Sequence, residues 1–176
     1  MGFPCSLADV NRFAARYRAA KCFREVTFDE LTEDTVDGYA ALVHLLLSYS
    51  AFEHFLHCIG SELPRSHSLL SGSDKAAILT RLSSFSGQRE LFTAARQHLN
   101  PTFQRQIDSH IAARDCNPFY LAGGLRHAFA HGKLAATPLG VPSRSVGVVC
   151  RYLCRVLLKV IDREFEKRML AFEASL

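Results

Sequence analysis

The sequence contains no tryptophan, and its six cysteines never form a Cys-x-x-Cys pair. Zinc ribbons and thioredoxin-like redox centres are built on that spacing, so neither motif class is present. No apolar run approaches the roughly 18 residues that cross a bilayer, which excludes a membrane-spanning helix. Polar and charged residues appear within the first dozen positions, so no secretory leader is predicted. Together with scattered cysteines, this points to a cytoplasmic protein with free, mostly buried thiols and no disulfide framework. A convincing alternation of apolar and polar residues is missing throughout, as is any internal repeat. Strands are therefore not expected.

What is present fits a single all-α domain. Hydrophobic residues make up 48% of the 176, enough for a sizeable core, and thirteen are phenylalanine. The formal charge is +4, from 21 Lys and Arg against 17 Asp and Glu. That mild excess permits a polyanionic partner without requiring one. Ser6, with Asp9 three residues on, caps a helix expected over 6–24. Thr32 to about Gly60 carries an apolar stripe too broad for a lone surface helix. A serine-rich loop follows, from Ser61 to Ser73. Ser73 or Asp74 is then expected to cap a helix running through Leu82, and another spans Gly87 to His98. Thr102 would cap a helix to Arg114. Asn117-Pro118 opens the next, since asparagine caps well and proline suits the first helical position. That helix stops at Gly132. A connector, Thr137 to Ser145, precedes a last amphipathic helix reaching about Glu173.

The chemistry concentrates in GGLRHAFAHG, residues 123–132. Arg126, His127 and His131 lie within six positions of a helix that is otherwise apolar. Basic residues in a last turn also have a purely structural use, because they complement the negative end of the helix dipole. Leu121, Ala122, Leu125 and Phe129 place this helix in the core, however, and Arg126 beside a packed face needs an anion. Gly123, three residues earlier, would let another backbone approach. On an ideal helix Arg126 and His131 are roughly 140° apart, so they converge only if the last turn unwinds. His127 and His131 share a face and could hold a metal, but no third ligand lies nearby in sequence. Neither a metal nor another cofactor is expected.

An arginine, a polar residue, three apolar residues and then His-Gly, late in a small helical protein, resembles the signature of HEPN domains. These helical bundles carry Arg, four to six residues, then His. LLLSYSAFEHFL, residues 45–56, is similar to the long helix that carries a glutamate in many members. The resemblance covers roughly residues 34–172, with the N-terminal helix packed on that core. It implies a HEPN-type bundle of six to seven helices, working as a two-fold homodimer whose motif helices meet in one cleft. It also implies a metal-independent endoribonuclease of the toxin or defence type acting on an RNA substrate. In that reading Arg126 and His131 are catalytic, and Glu53 supports Arg126. His127 stands where the family more often has Asn or Asp, and could orient His131 or touch the phosphate. The physical logic is sound: a histidine of pKa about 6.5 can move protons at neutral pH. An arginine can clamp a phosphate through two hydrogen bonds. The alternative is a non-catalytic bundle that dimerises or binds a partner such as a nucleotidyltransferase antitoxin.

Three weaker groupings complete the reading. His54, His57 and Cys58 crowd one helix, either as core residues or as metal ligands. Cys150 and Cys154 share a helix face as core thiols. Arg144, Arg151, Arg155 and Lys159 form a basic strip, read as a solvated face or an RNA contact.

Overall fold

A computed structural model describes residues 3–138 and 140–174, and among them there are helices and no strands. In chain order the helices are α1 (Leu7–Cys22), α2 (Glu33–Cys58), a 3-10 helix (Leu63–Leu69), α3 (Gly72–Ser83), α4 (Gln88–Arg96), α5 (Pro101–Ile111), α6 (Pro118–Ala130) and α7 (Ser143–Glu173). No single helix among the described residues is long and apolar enough to cross a membrane.

The helix starts follow capping chemistry. Ser6 Oγ accepts from the Asp9 amide, Thr32 Oγ1 from that of Thr35, and Asn117 Oδ1 from that of Phe119. Each satisfies an amide that the helix itself leaves without a partner. Two expected caps are corrected. α3 is capped by Ser71, two or three residues before Ser73 and Asp74, and it runs to Ser83. α5 is capped by Asn100, whose Oδ1 accepts from both Thr102 and Phe103, with Pro101 rather than Thr102 opening the helix. Asparagine followed by proline satisfies the first turn better than threonine alone, which is also how α6 begins. The expected serine-rich loop holds the 3-10 helix, and α5 stops at Ile111 rather than Arg114. α7 starts at Ser143, inside the expected connector, of which position 139 lies outside the described residues.

α2 is the hub. Leu42, Leu45, Ala51, Phe52 and Phe55 are fully buried along it, because the helix has neighbours on more than one side. It packs most extensively on α7 and then on α1, where the rings of Phe13 and Phe55 meet at 5.4 Å. α4, α5 and α6 form a second cluster, joined to α2 through α6 and the Phe52–Phe119 ring contact of 4.6 Å. Burying one such phenylalanine contributes about 1.5–3 kcal/mol. Cys150 and Cys154 are fully buried on α7, facing this core.

Candidate functional site

α6 enters the core at its N-terminus and leaves it at its C-terminus. Every residue from Pro118 to Leu125 is buried, Arg126 and His127 are half-buried, and Ala130 and His131 are exposed. The exit is shaped by Gly132, whose φ of 66° lies in the left-handed region. There the Gly132 amide donates to Phe129 O and the Lys133 amide to Ala128 O. This double closure satisfies the last carbonyls and makes His131 the helix cap. At ψ 13° the backbone of His131 has already left helical geometry.

Gly123 has a different role from the one expected. The space a Cβ would occupy there is taken by side chains, not by another backbone. The Tyr49 Oη would lie 2.4 Å away and the Phe103 ring 2.9 Å away. Tyr49 is buried from α2 and Phe103 reaches across from α5, so the missing side chain lets two aromatic rings close over α6. The Tyr49 Oη is buried without a hydrogen-bond partner among the described residues, and burial pushes its pKa up.

Arg126 lies one turn beyond Gly123, toward α2. Its Nη2 donates to Glu53 Oε2 at 3.4 Å, and its guanidinium carbon sits 5.8 Å from the centre of the Tyr49 ring. The ion pair expected between Glu53 and Arg126 is therefore present. The arginine side chain is 28% exposed and the glutamate 49%. Burial raises the Glu53 pKa, and the positive charges of Arg126 and Arg16 only partly oppose that. The Arg126 Nε is buried without a partner among the described residues.

The two histidines turn the other way, toward α5. The His127 ring stacks on Phe103 at 6.3 Å and 21°, and the His131 ring lies 4.3 Å from that of His127. Burial lowers the His127 pKa, helped by the charges of His131 and Arg126, so His127 favours the neutral form. Gly123 and Ala130 are seven residues apart, nearly two full turns, and so share one line along α6. Arg126 flanks this line on one side and His127 and His131 on the other, with Arg126 and His127 about 100° apart. Beneath Tyr49 and Phe103 the line is closed, and at exposed Ala130 it opens to solvent. The exposed end of α6 therefore presents Ala130 with a cation on one side and two imidazoles on the other.

No family model matches the chain, and no curated protein or solved structure matches it.

Among the described residues, no three His, Cys, Asp or Glu side chains gather as a metal cluster. His127 and His131 form a pair only. His54, His57 and Cys58 separate by environment: Arg16 bonds His54 Nδ1 at 2.9 Å, Asp9 lies 3.7 Å from His57 Nε2, and Cys58 is fully buried. The basic strip also divides. Arg151 leaves it for a two-bond pair with Asp37, at 2.5 and 2.8 Å, while Arg155 and Lys159 remain exposed. Sequence reasoning did not single out Tyr49 and Phe103, which close over Gly123. Tyr49 stands one turn before Glu53 and so on the same face, a usable signal. Phe103 is brought in by the fold of α5 and has no comparable signal.

Proposed function

We propose that this protein is a metal-independent endoribonuclease of HEPN type, acting as a homodimer, with Arg126, His131 and His127 at the phosphodiester. The supporting observation is a braced arginine and two adjoining imidazoles on either side of exposed Ala130 at the end of α6. Arg126 is steadied by Glu53 and Tyr49, so its guanidinium is preorganised for a charge that develops on phosphate oxygens. His127 favours the neutral form, and with His131 beside it the two imidazoles can divide the proton transfers. The O2′–P bond forms as the P–O5′ bond breaks, leaving a 2′,3′-cyclic phosphate and a 5′-hydroxyl. One imidazole takes the 2′-hydroxyl proton, and a protonated imidazole gives one to the departing O5′. In a two-fold dimer the α6 ends of both chains would line one cleft, doubling the groups available.

The test is cleavage of a mixed RNA pool in EDTA by the parent, His131→Ala and Arg126→Ala proteins, with light scattering for the dimer. The parent should produce cyclic-phosphate ends, and each variant should lose about 10²–10⁴-fold in rate. A well-folded His131→Ala protein as active as the parent would sink the reading.

One observation favours a second reading, a non-catalytic interaction module that binds a partner such as a nucleotidyltransferase antitoxin. Arg126 is mostly covered and already paired with Glu53, as an arginine with a purely structural role would be. Stable complex formation without cleavage of any RNA would favour it.

A further inference from the structure

Away from α6, an open groove of roughly 480 Å³ runs between α3 and α7. Its α7 wall carries Tyr152, Arg155, Val156 and Lys159, and its α3 wall carries Ile78 and Arg81. The floor is aliphatic and the rims are cationic. Among the described residues, Arg81, Arg155 and Lys159 have no carboxylate within ion-pair distance. Asp74, the acid at the groove, is already bound to Arg163 at 3.1 Å. Arg155 and Lys159 are one helical turn apart, about 6 Å along the axis, close to the spacing of successive phosphates on a strand. The aromatic residues are interleaved with these cations. The Arg81 guanidinium carbon lies 4.9 Å from the Phe85 ring centre, Phe85 meets Tyr152 edge-on at 5.4 Å, and Arg155 lies 5.9 Å from the Tyr152 ring.

We propose that this groove binds single-stranded nucleic acid, with Arg155 and Lys159 on consecutive phosphates, Arg81 on a further phosphate from the facing wall, and a base against Tyr152. Unpaired cations supply the backbone contacts, Arg155 and Lys159 at strand spacing and Arg81 from the other wall, and they release counterions from the polyanion. An aromatic ring among them supplies a flat surface that any base can cover, so recognition is tolerant of sequence. Arginines beside the rings extend that surface, since guanidinium planes also stack on bases. An acidic helical peptide would satisfy the cations equally well but would have no use for the arginine–aromatic alternation. The proposal does not depend on the nuclease reading, because none of its residues lies on α6.

The experiment uses a fluorescent oligothymidylate of about twelve nucleotides, within the range of single-strand sites. It lacks the 2′-hydroxyl, so cleavage cannot complicate the reading. Anisotropy should rise with protein, and the logarithm of affinity should fall with the logarithm of salt at a slope of about −2, three phosphates at roughly −0.7 each. The double change Arg155→Gln with Lys159→Gln, on exposed positions that leave the core intact, should reduce that slope to about −0.7. Tyr152→Leu keeps apolar packing against Phe85 and should weaken binding about tenfold. It should leave competition by inorganic polyphosphate unchanged. No binding at low salt, or a slope unaltered by the double change, would overturn the proposal. So would a Tyr152→Leu protein that binds as the parent does, which marks a plain polyanion patch, or a preference for an acidic helical peptide. Lost cleavage with retained oligothymidylate binding would remove the nuclease reading alone.

Discussion

Replacing Gly123 with alanine sets two effects of opposite sign against each other. On helix propensity alone the change should stabilise α6 by about 1 kcal/mol, since glycine is the poorest helix former after proline. The tertiary surroundings predict the reverse. The new methyl would stand 2.4 Å from Tyr49 Oη, 2.7 Å from its ring carbon Cζ and 2.9 Å from the Phe103 ring. Tyr49 is 2% exposed, so its ring has nowhere to swing. Overpacking a filled core costs about 1–3 kcal/mol, and three contacts this short, two to aromatic carbon and one to a buried hydroxyl, belong at the upper end. The net loss should be about 2 kcal/mol, or roughly 4–8 °C in Tm for a chain of this size. Because Arg126 lies over the Tyr49 ring, the strain forced on that ring should also loosen the Arg126–Glu53 pair. The assay is thermal and urea denaturation of Gly123→Ala, Tyr49→Phe and the double variant. Tyr49→Phe alone should stabilise by about 1 kcal/mol, because it removes a buried hydroxyl that has no partner. Combined with Gly123→Ala it should recover part of the loss, giving a coupling energy outside simple additivity. A Gly123→Ala protein as stable as the parent, or more so, would refute the close packing described for α6.

Other predictions follow the same physics. Ala113 ends α5 at φ 53°, in the closure that Gly132 provides for α6, with the Arg114 amide donating to Ser109 O. Ala113→Gly should therefore raise stability by about 1 kcal/mol, and a fall in the urea midpoint would count against it. His44, His110 and His127 all have pKa values lowered by burial, so the unfolded chain binds more protons than the folded one near their ordinary range. The stability they contribute is present above about pH 6.5 and is lost as pH falls through their lower folded values. Tm should thus drop on acidification from pH 7 toward 5, before the aspartates held low by Ser6, Arg151, Ser71 and Arg96 begin to protonate below about pH 4. A flat Tm across that upper interval would contradict the burial of these rings. Glu53→Gln should change stability at neutral pH by less than about 1 kcal/mol, since a half-exposed pair contributes little. A loss well beyond that would mean that Arg126 depends on the carboxylate for the fold itself.

Most helices were legible in the sequence, because the signals that start and stop a helix are local, although the 3-10 helix within 61–73 and the start of α7 were not. Ser6, Thr32 and Asn117 sit within three residues of the amides they cap, and Gly132 supplies its own left-handed turn without any distant partner. The same locality placed His131 at a helix end next to His127. The Arg126–Glu53 pair was also foreseeable, since an arginine beside an apolar face needs an anion and α2 carries one. Apart from that pair, what needs two helices to meet came from the tertiary packing. Only packing shows that Gly123 makes room for Tyr49 and Phe103, because glycine itself records that space is needed and not what fills it. Only packing takes Arg151 out of the basic strip to join Asp37 and sets Arg155 and Lys159 across a groove from Arg81. Periodicity tells which residues share one helix's face. Which face meets which depends on how bulky side chains from distant parts of the chain fit together, and no local pattern encodes that.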